Sequence, residues 1–478
     1  MVHRSLLLTL ALVSAAPALA QSLPQRVQAR LGEAPKGTRF GLLVTDEQGR
    51  EIVAVDADDR FMPASNTKIY TTAAAYWTLA GIDRPDATGG AAVRIEGSDV
   101  ILVGNGDARL SSAADCTTDC LATLADAVAA KTRQVRNVIG DATLFPDQRW
   151  SPGMSWNNIP SRYGTGIAAL TLDDNEIALD VKPGAVGDAP AVAGLGYYTI
   201  DNQAVTLPAG GKTDLDFDRP VNSRTLRLTG TIAADAAPQT LRMGIDDPAH
   251  YAAWRFRALL KARGVQVSGA VSSRYRPLAP SDDPAVRQGA PVARPPQQPA
   301  LARLAPPPLA EDIRTINKES QNLHAELLMR RVGLKRGSGS IPDGVAEVET
   351  MLQAAGVPRT AWDLSDGSGM STYNRTAPRS TVRLLRWIAV QPWGAAWRAT
   401  LPIAGQDGTL AKRFKGTILE GKLFAKTGTI NATNALSGYM IAKSGRTLTF
   451  SVIANDVPGD VSATRFMDAA LVEVAAAN

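Results

Sequence analysis

Histidine and cysteine are almost missing from this chain. Its 478 residues include three histidines, His3, His250 and His324, and two cysteines, Cys116 and Cys120. Zinc and other transition-metal sites draw their ligands from these side chains, so that chemistry is disfavoured and no cofactor is expected. A hydrolase built on a Ser-His-Asp triad is disfavoured too, since no Gly-x-Ser-x-Gly elbow is present. His324-Ala325-Glu326 has the form of a deaminase His-x-Glu, but no Pro-Cys-x-x-Cys follows it. Gly104-Asn105-Gly106 reaches Arg109 where a dinucleotide-binding loop needs a third glycine, so it reads as a turn. Charge of one sign is also lacking. Lys plus Arg number 51 against 46 Asp plus Glu, a net +5 with no basic block, which gives no footprint for a nucleic-acid partner. Beyond the N-terminus no apolar run is long enough to cross a bilayer, so no transmembrane anchor is expected.

What is present is ordinary globular chemistry, 45% hydrophobic and 20% charged. At ~100–200 residues per domain the length calls for two to four units. Residues 1–20 read as a secretory signal: a basic start at His3 and Arg4, an apolar Leu6 to Val13, and Ala18-Leu19-Ala20 as a small-x-small cleavage site. The mature protein is therefore expected to be periplasmic, and export favours a local disulfide between Cys116 and Cys120.

Strands are expected at Arg39 to Asp46 and Glu51 to Ala57, joined by a turn at Glu47-Gln48-Gly49-Arg50. An Ala-rich helix is expected from Ser65 to about Ala80. Further expected elements are a strand at Asp99 to Val103, helices at Leu121 to Ala130 and Pro248 to Arg263, and a strand at Gly264 to Val271. Between Val181 and Ile245 short alternating runs are broken by Gly, Pro, Asp and Thr, the texture of a small β-rich module. Arg274 to Pro308 is dense in proline and reads as a linker. One helix is expected from Leu309 past Asn322 towards Arg331. Strands follow near Leu423 to Lys426, Leu436 to Ala442 and Thr447 to Ile453, and a helix from Ala463 to Ala475 closes the chain.

Three short motifs can carry chemistry. Ser65-Asn66-Thr67-Lys68 opens the first helix, where a spacing of three puts serine and lysine on one face. A lysine stripped of its proton by burial can serve as base for that serine, and the free N–H groups of a helix start can stabilise developing negative charge. Ser320-Gln321-Asn322 sets a hydroxyl and an amide two residues apart. Lys426-Thr427-Gly428-Thr429, at the end of an apolar strand, offers a cation and hydroxyls for a carboxylate. Each motif alone is commonplace, as a helix cap, a solvated helix face or a strand-end turn.

Their order, Ser-x-x-Lys then Ser-x-Asn then Lys-Thr-Gly, is that of penicillin-binding proteins and serine β-lactamases. Leu170 to Asn175, Asp247-Pro248, Gly264 to Gly269, Pro307-Pro308-Leu309, and Asp366-Gly367-Ser368-Gly369-Met370-Ser371 followed by Asn374-Arg375 narrow the match. Together they resemble the D-alanyl-D-alanine carboxypeptidase/endopeptidase family of class C penicillin-binding proteins, the penicillin-binding protein 4 type, over nearly the whole mature chain. The resemblance implies an α/β (α+β) serine β-lactamase/DD-peptidase-like fold, an antiparallel sheet flanked by helices and interrupted by inserted accessory domains. It implies Ser65 as nucleophile, Lys68 as base, Ser320 as proton relay and Asn322 as a substrate-orienting amide. It further implies Lys426, Thr427, Gly428 and Thr429 in substrate binding, with Asp366 and Ser368 bordering the same site. The N–H groups of Ser65 and Thr429 would form the oxyanion hole. Implied partners are peptidoglycan muropeptides and β-lactams as covalent inhibitors, with a homodimer left open. The proline-rich stretch is longer than usual for the family, and His324 stands where a bulky, often aromatic residue is usual.

Two alternatives differ in observable ways. A class A β-lactamase would be a single shorter domain, whereas Ser65 and Ser320 are 255 residues apart, and no Glu-x-x-x-Asn is found for deacylation. A catalytically silent muropeptide-binding protein would not need all three motifs intact. The spacing leads to an expected split catalytic domain, 21–85 and 307–478. An inserted domain is expected at 86–180 and 246–273, a nested module at 181–245, and a linker at 274–306.

Overall fold

In the computed structural model the described residues are 21–294, 298–459 and 461–478. The leader expected at residues 1–20 lies outside them. Among the described residues no helix is long and apolar enough to cross a membrane.

Both ends of the chain build one antiparallel sheet. Its strand order is Leu423–Ile430, Thr433–Ile441, Thr447–Asn455, Arg39–Thr45, Glu51–Val55. The middle strands are buried almost throughout because both of their faces are covered. Leu448 to Ala454 are buried throughout. One face packs on the helices Leu23–Gly32 and Thr464–Ala477 through Val27, Leu31, Phe466, Met467 and Leu471. On the other side the helices Thr67–Thr78, Asn322–Gly333 and Pro378–Ala389 share a core of Tyr70, Ala73, Leu328, Leu384 and Leu385. The helix Thr67–Thr78 is central to that layer, with every residue from Thr67 to Ala75 buried. Its alanines leave room for close neighbours, and its polar side chains Thr67, Lys68, Thr71 and Thr72 are buried with the rest.

The intervening chain forms sheets of its own. Val271–Arg276, Val138–Pro146, Asp99–Val103, Ala92–Glu96 and Ala302–Arg303 form a five-stranded mixed sheet backed by the helices Leu121–Lys131 and Pro248–Ala262. A smaller β-rich part hangs from the pair Glu176–Lys182 and Gln239–Gly244, with Thr225–Ala233 at its centre. Cys116 and Cys120 are bonded to each other, Cα to Cα 5.8 Å, in the turn before Leu121–Lys131.

Three expectations from the sequence differ from the fold. The proline-rich stretch is pinned at both ends, by the strands Val271–Arg276 and Ala302–Arg303, and between them Arg287 Nη2 meets Asp343 at 2.7 Å. The single helix expected through Asn322 is two, Leu309–Lys318 and Asn322–Gly333. Ser320 at the break has φ +62°, and the Gln321 side chain accepts from Leu323 N to cap the second helix. Neither Gly nor Pro marks this break, so apolar periodicity runs across it unseen. The third difference is that Lys426 to Thr429 lie inside the edge strand Leu423–Ile430, not at its end.

Candidate active site

Ser65 sits in a 3₁₀ turn, Ala64–Asn66, that feeds the helix Thr67–Thr78. Ala64 is held at φ +48°, a conformation that L side chains avoid unless the surroundings impose it. Asn66 Nδ2 donates to Ser437 Oγ at 2.7 Å and ties the turn to the sheet. Two glycines let the backbone close in. A Cβ at Gly369 would stand 1.9 Å from Ala64 O, and one at Gly428 would stand 2.8 Å from Pro63 O and 3.1 Å from Ser65 N. Gly428 thus brings the edge strand against the Ser65 turn, a close approach that a Cβ would obstruct.

Lys68 lies one turn below, fully buried. Its Nζ is 3.0 Å from Ser65 Oγ, 2.7 Å from Asn322 Oδ1 and 2.6 Å from the Ser368 carbonyl. Burial lowers its pKa to about 7, against the opposing pull of the Asp366 and Glu326 carboxylates. A large share of Lys68 is therefore a neutral amine near neutral pH, able to take the serine proton. Asn322 has its carbonyl on Lys68 and donates one amide hydrogen to Tyr163 O at 3.0 Å, which leaves its second hydrogen for a substrate.

The break between the two helices aims Ser320 at the same place. Lys426 Nζ donates to Ser320 Oγ at 2.9 Å and to Thr427 O at 2.9 Å. Burial pushes the Lys426 pKa far below that of an ordinary lysine, and the nearby Lys68 pushes it the same way. Thr427 Oγ1 donates to Thr409 Oγ1 at 2.7 Å. Ser65, Ser320, Asn322, Thr427 and Thr429 all line one cleft of about 590 Å³, with Tyr163 beside Asn322 in the same lining.

Asp366 and Ser368, placed beside the substrate by the resemblance, are not on this surface. Both are buried beneath it, 0% and 1% exposed, and Gly369 and Met370 line the cleft in their stead. Asp366 accepts from Gly369 N, Ser371 N and Asn374 Nδ2, and so shapes the loop. Burial, reinforced by the neighbouring Glu326 carboxylate, raises the Asp366 pKa to about 6. Glu326 escaped sequence reasoning as part of this site. Its Oε1 accepts from Gly367 N at 3.0 Å and Ser368 N at 2.9 Å, and its Oε2 meets Arg330 Nη1 at 2.8 Å. Glu326 therefore holds the loop whose Ser368 carbonyl holds Lys68. The signal was present as Asn322, Glu326 and Arg330, polar residues repeating at i, i+4 along one helix. His324 faces away from the cleft chemistry: Nε2 is 2.9 Å from Asp174 and Nδ1 is 3.2 Å from Asp312.

A buried lysine beside a serine, with a second lysine–serine pair across the cleft, suits acyl transfer through a serine ester. Comparisons with known proteins point the same way. The family model described as the D-Ala-D-Ala carboxypeptidase 3 (S13) family matches residues 23–478. A D-alanyl-D-alanine carboxypeptidase of Actinomadura sp. (strain R39) is 35% identical over 483 residues, covering 95% of this chain and 86% of that protein. The crystal structure of penicillin binding protein 4 from Haemophilus influenzae superposes with TM-score 0.77 at 21% identity, covering 94% of this chain and 97% of the other. A second structure of that protein, complexed with a novel β-lactam, gives TM-score 0.71 at 22% identity, covering 94% and 98%.

Proposed function

The chain belongs to the D-Ala-D-Ala carboxypeptidase 3 (S13) family, and from that premise we propose a two-step acyl transfer centred on Ser65. The protein is a serine-type D-Ala-D-Ala carboxypeptidase that binds penicillin. In the proposed first step Ser65 Oγ attacks the carbonyl carbon of the D-Ala-D-Ala bond, and its proton passes to the neutral Lys68 amine. The N–H groups of Ser65 and Thr429 receive the oxyanion. Ser320 Oγ, held by Lys426, relays a proton to the departing D-Ala amine: it gives up its own and regains one from the Lys68 ammonium, which becomes neutral again. Thr427 and Thr429 take the substrate's terminal carboxylate. Water then attacks the ester and frees Ser65. A β-lactam acylates the same oxygen, but its leaving amine stays tethered.

The observation that carries this reading is the buried Lys68 amine, 3.0 Å from Ser65 Oγ and with its pKa lowered to about 7. The proposal extends to DD-endopeptidase action, in which the leaving amine belongs to a cross-linked diamino acid, on peptidoglycan muropeptides outside the cytoplasm. The Cys116–Cys120 bridge supports an oxidising compartment. The split into a catalytic part and an insertion is likewise proposed; its support is the sheet that joins Arg39–Thr45 to Thr447–Asn455.

The test is mass analysis of purified muropeptides, monomeric and cross-linked, after incubation with the enzyme. Loss of terminal D-Ala reads carboxypeptidase action, and conversion of dimers to monomers reads endopeptidase action. Neither occurring would overturn the proposal, and unchanged dimers would remove its endopeptidase part.

A further inference from the structure

The strand that carries Lys426 to Thr429 serves the catalytic cleft at one end. A second cavity, of about 360 Å³, opens near its other end. Thr429 pairs with Asn434, and Tyr439 in this cavity lies five residues further along the same strand. The separation is roughly 17 Å at ~3.3 Å per residue. The walls come from the C-terminal end of the helix Pro378–Ala389, the short helix Gly394–Arg398, and Thr447 and Thr449 of the neighbouring strand.

Two guanidinium groups, Arg386 and Arg398, line this cavity. Among the described residues neither has a carboxylate within ion-pair distance. Elsewhere in the molecule buried arginines are neutralised at close range, Arg330 by Glu326 at 2.8 Å, Arg287 by Asp343 at 2.7 Å and Arg94 by Asp141 at 3.0 Å. Arg398 is instead stacked between aromatic rings, 4.5 Å from the Phe424 centroid and 5.1 Å from that of Tyr439. Burial lowers its pKa, and only the Tyr439 phenol opposes that. The one acidic residue of the lining, Glu47, is exposed and accepts from Thr447 N at 3.0 Å. Two cations thus share the lining with one acid that already accepts a backbone hydrogen bond.

A half-buried guanidinium without a counterion is costly, and its planar fork fits a carboxylate with two parallel hydrogen bonds. The threonine hydroxyls add donors. The rest of the wall is small and apolar, with Ala389, Val390 and Ala395, and Val390 is 79% exposed. We propose that this cavity is a second, non-catalytic binding site for a monocarboxylate with a small aliphatic flank, held between Arg386 and Arg398. N-acylated alanine is the simplest molecule of that class. The site stands on its own residues and does not depend on the chemistry assigned to Ser65.

The test is calorimetric titration of the full-length protein with N-acetyl-D-alanine and, separately, with its uncharged amide, after the catalytic serine has been blocked with benzylpenicillin. Saturable binding of the acid is expected, with the amide weaker by about tenfold or more. R386Q and R398Q are each expected to weaken the acid about tenfold, while penicillin acylation proceeds at the wild-type rate and reports an intact fold. Equal binding of acid and amide, undiminished binding by the double variant, or no saturation up to about 10 mM would overturn the proposal. If penicillin fails to block Ser65, the difference between wild type and the double variant still reads this cavity, so failure of the catalytic reading is seen separately.

Discussion

At the scale of single residues the proposed chemistry rests on Lys68. Its amine makes three short contacts yet carries a pKa lowered to about 7 by burial. The unfolded chain, with lysine near its usual ~10.4, binds more protons than the folded chain across the interval between the two values. Stability contributed by this site therefore rises with pH over that interval, while protonated Lys68 burdens the fold at lower pH. Acylation by benzylpenicillin should accelerate as pH rises through about 7, following the neutral amine. Lys68→Met is expected to slow acylation by ~10³-fold. It should also raise the melting temperature at neutral pH, because the desolvation of the buried amine, which outweighs its contacts, is gone. A fall in melting temperature, with acylation still pH-dependent as in wild type, would contradict this view of Lys68. Ser65 and Lys68 were legible in the sequence because both sit in one helical turn. Glu326 was not, since its bonds to Gly367 N and Ser368 N cross 41 and 42 residues.

At the scale of elements the informative feature is the break at Ser320. Periodicity favoured one continuous helix, and the turn is imposed by tertiary contacts that leave no local mark. Lys318 Nζ reaches Asp407 at 2.5 Å, and a Cβ on Gly408 would press on Lys318 O at 2.6 Å, so this neighbouring loop packs tightly where the first helix ends. Because Ser320 sits at φ +62°, removing its hydroxyl and relieving its backbone can be separated. Ser320→Gly should cut turnover of a D-Ala-D-Ala substrate ~10²-fold or more while leaving stability equal or higher by about 0.5–1 kcal/mol. Ser320→Ala should lose the same activity without that stability gain. Thermal denaturation and steady-state rates on the two variants check both halves; full activity in either would remove Ser320 from the proton path. The edge strand shows the opposite case. Lys426, Thr427, Gly428 and Thr429 were found by their order alone, and their placement against Ser65 depends on Gly428.

At the scale of the whole molecule, His324 joins parts of the chain that are far apart in sequence. Its ring nitrogens face Asp174 at 2.9 Å and Asp312 at 3.2 Å, so both carry protons when both contacts are made. Burial works against the charge, but these carboxylates prevail and raise the His324 pKa to about 9. A raised folded pKa gives stability that is complete below the unfolded value of ~6.5 and is lost as pH climbs through the folded one. The stability difference between wild type and His324→Gln should therefore be largest near pH 6 and shrink by roughly 3 kcal/mol towards pH 10, as read by denaturant unfolding. The buried carboxylates Asp107 and Asp119 are also shifted upward, Asp107 by burial and then by Asp119, so only the difference between the two proteins isolates His324. A difference that does not vary with pH would reduce His324 to a packing residue. The sequence marked His324 as out of place in its family but gave no hint of its partners, 150 and 12 residues away. The proposed split of the catalytic part, by contrast, has a mark in the sequence, the separation of 255 residues from Ser65 to Ser320.

The central proposal is an ester formed at a single oxygen, Ser65 Oγ. The most direct measurement is mass spectrometry of the intact protein after brief exposure to benzylpenicillin, followed by tryptic mapping. The expected result is one penicilloyl group per chain, located in the peptide Phe61 to Lys68 and absent from Ser65→Ala. An adduct elsewhere in the chain, or one that persists in Ser65→Ala, would contradict the assignment of Ser65 as the nucleophile.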